Sequence, residues 1–402
     1  MRPILDTISL QDARAALLDA AVPIDRTERV DLREANGRVV AEDVISTLDV
    51  PPFNRAAMDG YAVIAEDTFG AGSYAPKTLR RIDTVHTGRV STRRLSRGEC
   101  VEIATGAPLP EGADAVVMVE VTEKGNGDDI RVLAPVYPAQ NVSKRASDIS
   151  AGQPLLSDGD LITPSRLGAL AAVGNIEVKV YARPTVAIVS TGNEIVEPGR
   201  PLEPGQIYDI NRFTLASIID AHGGVPSVHP TVSDDLPALT EAVAAAGRDD
   251  LLVFSGGSSV GERDLITDVL QRMGEILFHG IAVKPGKPTM FGRIGGRPVL
   301  GMPGNPTSCL SNAYLLLVPM LRRIARLPEH RPHIVRLPLA RRVVSTTGRH
   351  QFYTVRVVDG AAVPAFKASG DITSMSQAHG YIEIPSQTDI VEAGELVDVK
   401  LF

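Results

Sequence analysis

Two stretches of the chain, Thr185-Val-Ala-Ile-Val-Ser190 and Asp250-Leu-Leu-Val-Phe-Ser255, are almost unbroken apolar runs that end on serine and small residues. A strand with one wet face alternates polar and apolar residues, whereas a continuous run calls for a strand covered on both faces. Helical spacing of apolar residues follows at 212–221, 236–246 and 265–273, and a long helix is predicted over 307–326. Buried strands alternating with helices predict a largely parallel sheet in a doubly wound α/β domain. Pro328 and Pro332 then break the chain.

The flanking segments have a different character. Residues 12–21 have the spacing of a short amphipathic helix, and Val30-Asp-Leu and 37–44 read as short mixed pieces. From Pro51 to Ser150 the chain is rich in glycine, proline and short β-prone runs such as Ala115-Val-Val-Met-Val, which predicts a mostly β domain. A helix is predicted over 165–172, with Thr163-Pro164 as its start. Residues 334–402 are again short strands and turns. A chain of 402 residues exceeds what one core serves, so several domains are expected.

Composition excludes some classes. There is no tryptophan and aromatics make up 4%, too few for base-stacking platforms. With 41 basic against 48 acidic residues the net charge is −7, a poor match to nucleic acid. The two cysteines, Cys100 and Cys309, offer no zinc spacing and no disulfide framework, which fits a reducing cytoplasm. No signal peptide is visible in the first ten residues. The longest apolar stretch, 313–321, is broken by Tyr314 and Pro319, so no membrane span is expected.

Chemistry concentrates in loops. Ser255-Gly-Gly-Ser-Ser-Val-Gly-Glu-Arg-Asp264 follows the second buried run, so Ser255, Gly256 and Gly257 fall where doubly wound sheets bind ligands. Ser190-Thr-Gly-Asn-Glu194 ends the first run. Lys284-Pro-Gly-Lys-Pro288 offers two ammonium groups, Lys284 and Lys287, on a stiff turn, and Gly301-Met-Pro-Gly-Asn-Pro306 leads into the last helix through Pro303 and Pro306. Each loop taken singly is a rigid surface turn. Four at one sheet edge point to a phosphate-bearing ligand. Asp59, Asp148, Glu194, Asp234 and Asp264 are carboxylates in or beside loops; such groups cap helices, and together they suit Mg²⁺. His222, His229 and His279 have no recognisable partner and are read as structural.

Pro-Pro-Phe-Asn-Arg-Ala-Ala-Met-Asp-Gly-Tyr-Ala (51–62), Ala-Thr-Gly-Ala-Pro-Leu-Pro-Glu-Gly-Ala-Asp (104–114) and the four loops above occur in the order seen in the MoeA family, which the chain resembles over 8–402. The family comprises molybdopterin molybdenumtransferases and includes the E domain of gephyrin. The resemblance implies a multidomain α/β plus β fold: a discontinuous helical and mixed domain from 1–50 and 151–180, an inserted mostly β domain at 51–150, a molybdopterin-binding α/β domain at 181–328 and a small β-barrel-like domain at 329–402. It also implies a homodimer, and a reaction that takes molybdate and adenylylated molybdopterin, with Mg²⁺, to molybdenum cofactor and AMP. Asp59, Thr105, Asp148, Glu194, Asp234, Asp264, Pro303 and Pro306 match cleft positions of the family, although Asp235 adjoins Asp234.

In that light Asp59, Glu194 and Asp264 are expected to act in catalysis, with Asp59 and Asp264 placing Mg²⁺ or a water, and Lys284 and Lys287 holding the anion. Partners implied are a molybdopterin adenylyltransferase and recipient molybdoenzymes. One position departs from the pattern: Thr354 stands where the family tail usually has arginine, with Arg356 two residues on and on the same strand face. Two other readings share the α/β domain type. One is a molybdopterin adenylyltransferase-like enzyme, which standing alone lacks the Met-Asp-Gly-Tyr segment and the β tail. The other is a gephyrin-like scaffold, which needs partner-binding segments not visible here. Molybdate and tungstate are not separable by sequence.

Overall fold

A computed structural model describes residues 7–256 and 265–402. The chain forms two compact units: one of residues up to 28, 37–39 and 180–402, the other of 29–36 and 40–179.

The first unit is built on a six-stranded sheet in the order Val225–Val228, Thr185–Ser190, Leu251–Ser255, Arg297–Met302, Met290–Ile294, Gly274–His279. The first four strands are parallel, as the unbroken apolar runs predict. The last two are an antiparallel addition, which the sequence reading did not anticipate. Side chains alternate between two cores. Val186, Ile188, Leu251 and Val253 pack with Leu215 and Ile219 of the helix Asn211–Ala221. Ala187, Val189, Leu252 and Phe254 pack on the other face with Leu239, Val243, Ile266 and Leu270. The N-terminal helix Leu10–Ala20 also buries Ala13 and Leu17 in the first of these cores; Ser9 caps it by accepting from Asp12 N at 3.0 Å.

The predicted long helix runs as three segments, Pro306–Asn312, Ala313–Leu317 and Val318–Ile324, of which the middle one is a π-turn. Its cause is Pro319, which has no N–H to give Leu315 O four residues earlier. Arg14 Nε donates to that carbonyl instead, at 2.9 Å. Tyr314, in the π-turn, joins an aromatic cluster in which Phe352 and Tyr381 stack at 4.0 Å and Tyr314 meets Phe402 at 5.1 Å.

The C-terminal sheet runs Val283–Lys284, His350–Val358, Gly380–Ile384, Leu396–Leu401, Ile334–Pro338, with Ala361–Pro364 on His350–Val358. A bridge between Leu339 and Ala362, with Ala340 N–H to Ala362 O at 2.9 Å, returns the first strand of the tail to Ala361–Pro364. The sheet thereby curls around Leu339, Val355, Ile382 and Val399, the barrel-like form expected.

The second unit has its own six-stranded sheet, Ala115–Met118, Gly60–Val63, Glu99–Ile103, Lys77–Val85, Asp129–Val132, Thr122–Lys124. Gly60 admits no side chain, because a Cβ there would lie 1.9 Å from Val117 O. The helix Pro164–Ala172 starts at Thr163, whose hydroxyl accepts from Arg166 N. Among the described residues, no helix is long and apolar enough to cross a membrane.

Candidate functional site

Register puts the carboxyl ends of the parallel strands level: Ser190 lies opposite Ser255, and Ser255 opposite Met302. Beyond them opens a cavity of about 1070 Å³ in the first unit. All four loops singled out from the sequence reach it, through Glu194, Ser255, Gly256, Lys284, Lys287, Pro303 and Pro306. Gly257 and Asp264 lie outside the described residues.

The lysine loop is fixed from beneath. Asn312, fully buried, donates from Nδ2 to Gly286 O at 2.9 Å and to Thr289 Oγ1 at 2.6 Å, and Thr289 Oγ1 donates to Gly286 O at 2.9 Å. Gly286 has φ +102°, and a Cβ there would meet Asn312 Nδ2 at 2.3 Å. Val283–Lys284 pairs in parallel with His350 and Gln351, and Lys284 Nζ donates to Thr346 Oγ1 at 2.7 Å. The α/β and C-terminal sheets therefore hold the loop jointly.

Two further basic groups line the cavity, Arg349 and Lys367. Lys367 sits in a loop tied to the start of the last helix by Thr307 N to Ser369 O, 3.1 Å, and Asn305 Nδ2 to Ser369 Oγ, 3.1 Å. With Lys284 and Lys287 they make four cations against the carboxylates of Glu194 and Asp209, an excess suited to an anionic ligand.

The Asp234–Asp235 ambiguity resolves into two roles. Asp235 caps the helix Leu236–Ala245, accepting from Ala238 N at 2.8 Å; the Ser233 hydroxyl first, and then this bond, hold its carboxyl below the usual range. Asp234 does not line the cavity, and is pushed above the usual range by desolvation and by the charge of Glu194. Among the described residues no cluster of three histidine, cysteine or acidic side chains has metal-binding geometry. A pair of carboxylates still fits Mg²⁺, which takes one or two from protein and the rest from water and phosphate.

Asp59, Thr105 and Asp148 belong to the second unit. There Asp59 Oδ1 accepts from Thr105 N at 2.7 Å and Thr105 Oγ1 at 2.9 Å, and these bonds hold its carboxyl below the ordinary range. Asp148 is exposed, with its N–H on Val50 O. Thr354 is fully buried with its hydroxyl bonded to no described residue, and Arg356 is exposed and does not line the cavity. Arg349, five residues before Thr354, does. His222 stands edge-on to His330 at 4.8 Å, its pKa lowered to about 4 by burial, then by His330 and Arg322, and His229 lies 3.4 Å from Asp249. Neither lines the cavity.

Family models match the chain end to end: the MoeA N-terminal region (domains I and II) over 8–174, a probable molybdopterin binding domain over 187–323 and the MoeA C-terminal region (domain IV) over 336–402. A molybdopterin molybdenumtransferase from Haemophilus influenzae is 33% identical over 98% of each chain. The chain belongs to the MoeA family. Two crystal structures of molybdopterin biosynthesis MoeA proteins from Pyrococcus horikoshii agree in fold, each with a TM-score of 0.84. One is 41% identical over 98% of this chain and 99% of that one; the other is 32% identical over 99% and 100%.

Within this MoeA-family chain, sequence reasoning missed Arg349, Lys367 and Asp209. Arg349 lies five residues before Thr354 in the tail, where no spacing sets it apart. Lys367 stands in Lys-Ala-Ser-Gly, which has no local signature. Asp209 lies in the turn into the helix Asn211–Ala221, where no motif marks it.

Proposed function

We propose that this MoeA-family protein is a molybdopterin molybdenumtransferase of molybdenum cofactor biosynthesis, inserting molybdenum from molybdate into adenylylated molybdopterin with release of AMP. The observation that supports this most is the cavity at the strand ends, with Lys284, Lys287, Arg349 and Lys367 around one mouth. Molybdate is a dianion and the second substrate carries phosphates, so such a site must be basic and stiff. Lys284, on the strand Val283–Lys284, and Arg349, just before its partner strand His350–Val358, hold the oxyanion; Lys287 and Lys367 offset the phosphates. Glu194, with Asp234 behind it, would hold Mg²⁺, which would supply charge neutralisation. The dithiolene sulfurs of the substrate, not a cysteine, receive the metal: Cys100 and Cys309 are buried, and burial pushes each thiol up to about 12.

An adenylyltransferase is the weaker reading, because Arg349 and Lys367 reach the cavity from the C-terminal sheet, which a free-standing α/β enzyme lacks. We further propose a cytoplasmic homodimer in which the segment bearing Asp59 and Thr105 from one copy completes the cavity of the other.

The test is reconstitution: purified protein, adenylylated molybdopterin, Mg²⁺ and molybdate, with AMP measured by chromatography and molybdenum in the pterin product by mass spectrometry. Molybdate-dependent AMP release with stoichiometric metal is expected. AMP release without metal in the pterin would overturn the reading, and equimolar tungstate in the same assay reports the preference between oxyanions.

A further inference from the structure

One wall of the cavity is not basic. Ser190, Asp209 and Asn211 line it while 3%, 3% and 7% exposed. Each keeps one oxygen with no hydrogen bond to a described residue: Ser190 Oγ, Asn211 Oδ1 and Asp209 Oδ2, which Arg212 Nε approaches at 3.3 Å without a hydrogen-bond geometry. Buried polar atoms are nearly always satisfied, so three orphans on one cavity wall point to a ligand.

The three are grouped and held. Ser190 lies opposite Ser255 in register. Ser190, Asp209 and Asn211 all line the one cavity, beside Ser255 and Gly304. Asp209 accepts from Arg212 N at 3.0 Å, and Asn211 donates from Nδ2 to Gly304 O at 2.8 Å, so the remaining oxygens have little freedom to turn.

Three oxygens would also suit a hard cation. Arg212 argues against one. Its Nε lies 3.3 Å from Asp209 Oδ2, and the two side chains are 11% and 3% exposed. The carboxylate charge is already offset by a buried guanidinium, so a divalent ion would compete with Arg212 for the same oxygen. A neutral group rich in N–H donors adds no charge to the pair.

We infer that Ser190, Asp209 and Asn211 form the subsite for the 2-amino-4-oxopyrimidine edge of the pterin. The amino group and the adjacent ring N–H donate to Asp209 Oδ2 and Asn211 Oδ1, and the Ser190 hydroxyl donates to the 4-oxo oxygen. Carboxylates read such amino edges elsewhere in biology. The inference rests on molybdopterin being the substrate.

The probes are 6-hydroxymethylpterin and its lumazine counterpart, which has a 2-oxo group in place of the 2-amino group. Their fluorescence is read directly, since the chain has no tryptophan. We expect the wild-type protein to bind the pterin roughly tenfold or more tightly than the lumazine, because the exchange sets an acceptor against acceptors. Asp209→Asn and Asn211→Ala should each cut that preference to about threefold or less, with molybdate affinity unchanged. Equal wild-type affinities, or no pterin binding up to its solubility limit, overturn the subsite without any variant needing to fold. A preference that survives in both variants overturns it too. Selective pterin binding by a wild-type protein that never binds molybdate supports the subsite and sinks the proposed reaction, so the two failures are distinguishable.

Discussion

Asn312 donates its side-chain amide to the carbonyl of Gly286, 2.9 Å away, from inside the last helix. The bond joins a fully buried core residue to the centre of the lysine loop. Asn312→Ala removes one donor from Gly286 O and one from Thr289 Oγ1, which then keep only their bond to each other. We expect a loss of about 1–3 kcal/mol in urea unfolding and weaker molybdate binding at temperatures where the variant is still folded. Gly286→Ala should be worse in both readings, since it adds a clash and a left-handed φ. Unaltered molybdate affinity in a destabilised Asn312→Ala protein would show that the loop does not need the support.

Lys284→Ala and Lys287→Ala are expected to weaken molybdate or adenylylated molybdopterin about tenfold each, a charge-assisted contact being worth roughly 1.5–3 kcal/mol. The loss should shrink at high salt. Separate calorimetric titrations of both ligands decide it; unchanged affinities in both variants remove the loop from the site.

Asp234 is a carboxyl raised by desolvation and by Glu194. The sign follows: the folded state favours the protonated form, so stability is greatest at acid pH and declines as pH rises through the raised folded value. Asp234→Asn should therefore melt higher at neutral pH without Mg²⁺ and turn over more slowly with it. Added Mg²⁺ should raise the wild-type melting temperature and leave that of the variant nearly still. Equal Mg²⁺ responses in thermal melts would remove the ion from this pair.

Glu383 behaves oppositely. Burial alone would raise its pKa, but hydrogen bonds from His350 at 2.6 Å and Lys400 at 2.5 Å, with the charges of Lys400 and Arg14, hold it down to about 2. Its stabilisation is present above the unfolded glutamate value, about 4.3, and is lost as pH falls toward the folded value. Glu383→Gln should cost about 3 kcal/mol at neutral pH, as breaking buried ion pairs does. The gap between variant and wild type should close as denaturation is followed from pH 5 down to pH 2.

The proposed homodimer predicts a dimer mass by light scattering at micromolar protein. It also predicts that mixing Asp59→Asn with Lys284→Ala protein restores part of the activity, because hybrid dimers contain one cavity free of both changes. An active monomer excludes the arrangement.

The parallel strands and most helices were legible because burial on both faces and capping leave direct marks: 185–190, 265–273 and Thr163 were placed correctly. The four loops were legible because small residues and prolines cluster where backbone must approach a ligand. Other features were not. The antiparallel edge of the sheet depends on a hairpin partner, not on a run of its own. The donor that satisfies Leu315 O in the π-turn is Arg14, some 300 residues away. Arg349 and Lys367 join the cavity only because the C-terminal sheet pairs with 283–284, a contact with no sequence period.

The π-turn at Ala313–Leu317 has a consequence for how this helix tolerates change in length. Its residues before the turn are phased to the cavity and those after it to the core behind the sheet. A π-turn is an α-helix with one residue too many, so deleting one residue from it would close an ordinary α-turn and leave Met320, Leu321 and Ile324 near their present phase. The same deletion in the regular turns on either side would rotate everything downstream by about 100°. The helix thus carries one residue of slack, placed where its loss does least harm.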